Sequence, residues 1–244
     1  MNFNTTTTVR DLAVEIPGAT RVFEKLKIDY CCGGGQSLAD ACAAVQVSTD
    51  EVERMLEQAS AAPNQAEGSE RFATAKLSQL IEHIVNTHHV FTKQEVDRLD
   101  ALADKVLSAH GANHPELVQV KGLVNDMGVD LRPHMMKEER VLFPYITSLE
   151  ESASHHQAPA PPPFGTVQNP VRMMMMEHDA VGGLLVKLRE VTSNYTVPAD
   201  GCFSYQTLYH ALEAFEADLH QHIHLENNIL FPRAVAMETT ALAA

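Results

Sequence analysis

The sequence predicts an all-α protein in which a small helical domain precedes a bundle of four long helices. Beyond residue 73, apolar residues recur at alternating spacings of three and four, as they do along one face of a helix. No segment alternates apolar and polar residues as a half-buried strand would, so we expect almost no sheet.

Residues 1–60 predict the small domain, which contains four short helices. Their start signals, in order, are the apolar periodicity from Val9 to Glu15, Pro17, Ser37, and Ser48 or Thr49. Between the second and third helices lies a turn with the sequence Asp29-Tyr-Cys31-Cys32-Gly-Gly-Gly. The small and polar residues of 61–72 predict a linker.

Residues 73–244 predict the four-helix bundle. A proline-rich stretch from Ser152 to Pro170 separates its second and third helices and is not expected to be an element itself. The expected helices run from about Ala73 to His110, from about Pro115 to Glu150, from about Val171 to Asn194, and from near Ser204 to about Met237.

A histidine followed four residues later by a glutamate occurs twice, at His134/Glu138 and His222/Glu226. The eleven-residue segments that begin at these histidines share five identities at a shift of 88 residues. Side chains four apart lie on one helix face, where an imidazole nitrogen and a carboxylate oxygen can bind the same metal ion. Both pairs fall on the apolar stripe of their helix, which predicts that they face the bundle core.

One further histidine lies on the apolar stripe of each remaining helix. His178 does so in the third helix and His89 in the first. His88 competes with His89, but the stripe through His88 runs into charged residues, and the separation of 89 residues between His89 and His178 is close to the repeat of 88. We therefore favour His89.

Four histidines and two glutamates suit two metal ions, each with two imidazoles, bridged by both carboxylates and by an oxo or hydroxo group. Mixed nitrogen and oxygen ligands without cysteine favour iron, then manganese, over zinc. The alternative for any single buried histidine is a hydrogen-bonded core residue.

The formal net charge of −14 argues against nucleic acid and anionic membranes as partners. We see neither a signal-peptide core nor an apolar run of membrane-spanning length, so we expect a cytoplasmic protein. Four cysteines are too few and too scattered for a disulfide scaffold. A homodimer stays open.

These residues resemble the repair-of-iron-centres family, which consists of hemerythrin-like di-iron bundles preceded by a small cysteine-bearing domain. The resemblance rests on the Cys31-Cys32-Gly-Gly turn, both His-x-x-x-Glu segments and the sequence Met176-Glu-His178-Asp. It covers nearly the whole chain. It implies a non-haem di-iron centre ligated by His89, His134, Glu138, His178, His222 and Glu226, with both glutamates bridging.

The resemblance also implies a function, the repair of iron–sulfur and other iron centres damaged by nitrosative or oxidative stress. The chain would act as an iron donor, and its partners would be the damaged proteins together with nitric oxide or oxygen. Two alternatives stay open: a nitric oxide reductase that forms nitrous oxide, and a carrier or sensor of oxygen or nitric oxide.

Other residues are weaker candidates. Cys31 and Cys32 lie in a turn before a helix, where a thiol's pKa can fall, and suggest a redox, nitrosyl or transient iron site. Glu177 and Asp130 lie near the expected ligands and would orient them or line an iron path; the alternative is that both lie on solvated helix faces. Two residues are expected in the core, namely Cys42 and Cys202.

Overall fold

A computed structural model describes residues 6–61, 69–155 and 157–243. Within these ranges no strand occurs, and a single isolated bridge pairs Thr8 with Ser37. The predicted all-α class is therefore confirmed. No helix among the described residues is long and apolar enough to cross a membrane.

The α-helices in chain order are α1 Val9–Glu15, α2 Ala19–Leu26, α3 Leu38–Ala44, α4 Thr49–Ala61, α5 Leu77–His83, α6 Val90–His110, α7 Glu116–Lys137, α8 Phe143–Ser154, α9 Gln168–Val191, α10 Phe203–His224 and α11 Phe231–Ala243. A short 3-10 helix spans Ser69–Phe72.

Helix starts follow local capping chemistry. The Ser37 and Ser48 hydroxyls accept hydrogen bonds from the backbone N–H groups of Asp40 and Glu51, as the sequence predicts. Two expected starts are wrong. Helix α2 begins after Gly18, whose φ of 77° suits glycine, rather than at Pro17. The first long helix begins at Leu77 rather than Ala73. Residues 62–68 of the predicted linker lie outside the described residues.

Among the described residues, three π-helical turns interrupt the long helices, and the apolar periodicity of the sequence does not predict them. The first spans Ile84–His89, the second Glu138–Leu142 and the third Leu225–Leu230. Pro144 and Pro232 follow the second and third turns by two residues. A proline cannot donate to the carbonyl four residues earlier and its ring clashes there, so a widened turn accommodates it.

The chain divides into two compact units. The first comprises the described residues of 1–82, 146–167 and 220–244, and the second comprises 83–145 and 168–219. Ile223 is buried with residues of α1 to α4 in the core of the first unit. The core of the second unit is formed by apolar stripes of α6, α7, α9 and α10, such as Val96, Val124, Leu185 and Leu212.

In the first unit, the Glu150 side chain caps the start of α5. Its carboxylate accepts hydrogen bonds from the Leu77 and Ser78 backbone N–H groups at 2.6 and 3.0 Å, and from the Ser78 hydroxyl at 2.6 Å. Burial alone would raise the pKa of Glu150, but these hydrogen bonds outweigh it and lower the pKa.

We expect Glu150→Gln to lower the free energy of unfolding at pH 7 by about 1 kcal/mol, because the amide is a weaker acceptor for the α5 N–H groups. Since the folded-state pKa of Glu150 is lowered, its contribution is present above the usual glutamate pKa and is lost as the pH falls through the folded value. Urea unfolding from pH 7 to pH 3 should therefore show the two proteins converging below about pH 4.5. Glu151→Gln, at an exposed neighbouring position, is the control. A difference independent of pH would contradict this explanation.

Candidate metal centre

Four of the six predicted ligands lie in the second unit: His89, His134, Glu138 and His178. Each is at most 3% exposed. One oxygen of Glu138, Oε2, is 3.4 Å from His89 Nε2 and 3.3 Å from His134 Nε2. His178 Nε2 is 3.0 Å from His134 Nε2. Each of these side chains from three helical segments thus has a nitrogen or oxygen atom within 3.4 Å of another predicted ligand.

The other two predicted ligands, His222 and Glu226, lie in the first unit. Glu226 is fully buried and His222 is 1% exposed. His222 Nε2 is 3.0 Å from Glu226 Oε1. Glu226 belongs to the third π-helical turn, as Glu138 belongs to the second. A π-helical turn changes the angle at which successive side chains leave the helix and is common at functional sites.

Among the described residues, two groups of side chains have ligand atoms that all lie within 4.8 Å of one another. The first group is His89, Glu138, His222 and Glu226; the second is His134, Glu138, His178 and Glu226. Each group contains two histidines, and the two glutamates belong to both. Every member is buried.

Two further glutamates orient the histidines. Glu139 Oε1 is 2.7 Å from His89 Nδ1, and Glu177 Oε2 is 2.8 Å from His134 Nδ1. A carboxylate only accepts hydrogen bonds, so the proton is on Nδ1 and the Nε2 lone pair is left for a metal.

Lysines keep these orienting carboxylates ionised. Lys93 binds Glu139, and Lys137 binds Glu177. Burial would raise the pKa of each glutamate, but the hydrogen bonds from its lysine and its histidine outweigh this and lower the pKa. Both carboxylates therefore remain good acceptors near neutral pH.

The sequence predicts an orienting role for Glu177 but not for Glu139. The signal was available, since each of these acids is adjacent in sequence to a predicted ligand. Asp130, the other orienting candidate, is exposed. His88 is buried, but its Nδ1 lies 2.9 Å from Asp218 Oδ1, and His88 belongs to neither group of candidate ligands.

The Cys31–Cys32 turn is held by Asp29. Its carboxylate accepts hydrogen bonds from the backbone N–H groups of Cys31 and Cys32 at 3.0 Å and of Gly33 at 2.8 Å. The residues that follow Glu226 also bind this turn. Asn227 donates to the Cys31 carbonyl at 3.2 Å, and Asn228 donates to the Tyr30 carbonyl at 2.8 Å.

The two thiols differ in their surroundings. Cys31 is 5% exposed, whereas Cys32 is half-buried, and their sulfur atoms are 3.8 Å apart. The hydrogen bond between the thiols and burial raise the pKa of Cys31 well above its usual range. The expectation of a pKa lowered by a helix start is therefore wrong for Cys31, because α3 begins only at Leu38.

The sequence predicts that the two remaining cysteines both lie in the core, but only one of them does. Cys42 is buried, as predicted. Cys202 is exposed, because it lies just before α10 instead of on its apolar stripe.

We expect Glu177→Gln and Glu139→Gln each to weaken metal binding by about 10- to 100-fold, because the orienting carboxylate is lost while the fold is retained. Asp130→Asn is the matched control at an exposed position. Metal retention can be followed by competition with a chelator, and helicity by circular dichroism. Equal losses in all three variants would contradict the assigned roles.

We expect an alkylating reagent to modify Cys32 before Cys31, because Cys31 is buried and its raised pKa leaves little thiolate. Mass spectrometry of intact protein and of its peptides would give both rates. Cys42, which is buried, is the internal control and should be modified only after unfolding. Faster modification of Cys31 than of Cys32 would contradict the structure of this turn.

Comparison with known proteins identifies the family to which this sequence belongs. Residues 80–234 match the Hemerythrin HHE cation binding domain, and residues 5–60 match a domain of unknown function, DUF542. The six predicted ligands all lie within the first match.

Curated relatives match over nearly the whole chain. A protein named "Probable iron-sulfur cluster repair protein" from Haemophilus influenzae is 34% identical over 226 residues, which are 92% of this chain and 95% of the relative. Proteins named "Iron-sulfur cluster repair protein YtfE" from Citrobacter koseri and Escherichia coli O81 are 35% identical over 231 residues, 93% of this chain and 96% of each relative. The chain therefore belongs to the family of hemerythrin-domain iron–sulfur cluster repair proteins.

Proposed function

We propose that this protein binds two iron ions and repairs iron–sulfur and other iron centres damaged by nitric oxide or oxidants. The observation that carries the proposal is the pair of buried ligand groups that share both Glu138 and Glu226. The names of the relatives favour repair over nitric oxide reduction or oxygen transport.

The donor set fits iron. Four imidazoles and two carboxylates, without a thiolate, suit a metal that takes more than four ligands. His89 and His222 would hold one ion, His134 and His178 the other, with Glu138 and Glu226 bridging. When bound, the pair supplies exchangeable ferrous iron, because nitrogen and oxygen ligands hold ferrous iron less tightly than thiolates do.

The surrounding residues keep this site assembled. Glu139 and Glu177 hold two imidazoles with Nε2 presented to the metal. Burial of the ligands excludes water, which strengthens every electrostatic interaction inside the site. The six candidate ligands would therefore hold the ions in a buried, pre-oriented site that can donate iron.

Cys31 and Cys32 would act as a transient redox, nitrosyl or iron-accepting site. What supports this role is the anchoring of their turn by Asn227 and Asn228, directly after the ligand Glu226. The partners we propose are damaged iron–sulfur proteins, with nitric oxide or oxygen as small ligands. We place the activity in the cytoplasm, where thiols stay reduced.

The experiment combines metal analysis with a repair assay. Anaerobic loading should give two iron ions per chain with the Mössbauer signature of a coupled pair. Glu226→Ala should bind little iron, since it removes a ligand from both groups. The loaded protein should reactivate a nitric-oxide-damaged iron–sulfur enzyme faster than an equal amount of free ferrous iron, and Glu226→Ala should not.

Asp130→Asn is the control and should retain both iron and activity. Reactivation no faster than with free iron would overturn the repair proposal even if two iron ions bind. A single iron ion per chain, with repair intact, would overturn only the di-iron assignment. Nitrous oxide formed in place of repair would identify the reductase.

A further inference from the structure

Cys31 and Cys32 are adjacent in sequence, and the structure places their sulfur atoms side by side at different depths. Cys31 Sγ is 3.8 Å from Cys32 Sγ. Cys31 is buried, whereas Cys32 is half-buried. A reagent from solution therefore reaches Cys32 first, and the thiol of Cys31 is the nearest nucleophile to whatever Cys32 then carries.

The Asp29 carboxylate is a proton acceptor for the inner thiol, since its Oδ1 is 3.4 Å from Cys31 Sγ. Hydrogen bonds from the backbone N–H groups of Cys31, Cys32 and Gly33 fix this carboxylate beside the sulfur. A Cβ atom on Gly33 would lie 2.9 Å from Asp29 Oδ2, so glycine permits the close approach. The hydrogen bond with Cys32 and burial raise the pKa of Cys31, so this thiol stays protonated until an acceptor takes its proton.

We propose that Cys31 and Cys32 form a two-step site that removes the nitrosyl group from S-nitrosothiols. Cys32 is the attacking thiolate, Cys31 is the resolving thiol, and Asp29 accepts the proton of Cys31. The choice of substrate rests on the proposed function, in which nitric oxide is one of the small ligands. This reaction narrows the redox, nitrosyl or iron-accepting role of the pair to one substrate class.

The two steps balance in atoms and electrons. First, the Cys32 thiolate attacks the nitrogen of R–S–N=O; an S–N bond to Cys32 forms, and the original S–N bond breaks to release the thiolate R–S⁻. Second, the Cys31 sulfur attacks the Cys32 sulfur; an S–S bond forms, and the S–N bond breaks. Nitroxyl (HNO) leaves with the proton that Cys31 gives up through Asp29. The two sulfur atoms lose two electrons, and the nitrosyl group gains them.

The product is a disulfide between adjacent residues, which suits a transient state. The sulfur atoms must close from 3.8 Å to about 2.05 Å, and the half-buried Cys32 side chain can rotate to do so. Adjacent Cα atoms lie about 3.8 Å apart, below the roughly 4.4–6.8 Å usual for disulfides. The ring is therefore strained and readily reduced, so a cellular dithiol can restore both thiols.

The backbone of the turn is held on both sides of the thiols. A Cβ atom on Gly34 would lie 2.6 Å from the Tyr30 carbonyl oxygen, so the turn is closely packed. Asn228 donates to the Tyr30 carbonyl, and Asn227 donates to the Cys31 carbonyl. These contacts keep the two sulfur atoms adjacent through both steps.

The test uses iron-loaded, full-length protein with Cys202→Ser, which removes the exposed thiol elsewhere in the chain. One equivalent of S-nitrosoglutathione is added without oxygen, and its absorbance and the protein mass are followed. We expect the protein to lose the mass of two hydrogen atoms while a phosphine traps nitroxyl. Cys31→Ser should stop after the first step and retain one nitrosyl group on Cys32. Cys32→Ser should slow the reaction by at least about tenfold, because Cys31 is buried.

Asp29→Asn tests the proton acceptor. The nitrosylated form of Cys32 should accumulate before the disulfide appears, because an amide is a poor acceptor for the Cys31 proton. Asp50→Asn, at an exposed position on α4, is the matched control and should react like the parent protein. Circular dichroism should show the same helicity in all variants.

Protein depleted of iron by a chelator separates this site from the iron centre, because the pair should react at the same rate without iron even if the repair proposal fails. Consumption of S-nitrosoglutathione only in the presence of iron would overturn the two-step site. Nitroxyl formed as fast by Cys31→Ser would overturn it as well. A disulfide formed faster from hydrogen peroxide than from an equal concentration of S-nitrosoglutathione would overturn the choice of nitrosothiols as the substrate.

Discussion

The complete burial of two carboxylates, Glu138 and Glu226, is the constraint on which the candidate metal centre depends. Moving an ionised carboxylate out of water costs several kcal/mol unless positive charge and hydrogen bonds compensate for it. The candidate ligands also include four imidazoles, and neutral imidazoles cannot balance two negative charges. Bound cations would balance them, and metal binding would then contribute to the stability of the folded chain.

The carboxylates of Glu139 and Glu177, further from the centre, are also compensated by neighbouring groups. Glu139 and Glu177 each accept from a ligand histidine on one side and from a lysine on the other. A bound cation would thus contact imidazoles whose other nitrogen faces a carboxylate, and each of these carboxylates pairs with a lysine further out. This order lets the site hold several charges while its outermost members remain partly exposed to solvent.

Much of this arrangement could be predicted from sequence. The heptad-like stripes identified the long helices, and the repeat at a shift of 88 residues singled out the six side chains that the structure brings together. The π-helical turns were missed, because helical periodicity is read as if every turn were identical. For the second and third turns the Leu-Phe-Pro sequences were an available signal; the first turn contains no proline and offers none.

The prediction that Cys202 lies in the core is wrong for a different reason. Residue type alone favours burial for cysteine, but its position at the start of a helix, opposite a histidine 92 residues earlier, depends on tertiary structure. The exposure of Asp130 likewise depends on which side of α7 faces the other helices, and sequence proximity to His134 does not decide that. Local patterns therefore predict the candidate ligands, whereas the exposure of the residues around them depends on tertiary packing.

The two adjacent asparagines that follow Glu226 have a mechanical consequence. Asn228 and Asn227 donate to two successive backbone carbonyls, those of Tyr30 and Cys31. Both asparagines belong to the π-helical turn that also carries the candidate ligand Glu226. A change in the backbone of this turn would therefore alter both hydrogen bonds. The backbone that carries the candidate ligand Glu226 is therefore tied to the backbone of the paired thiols by two hydrogen bonds from residues only one and two positions away.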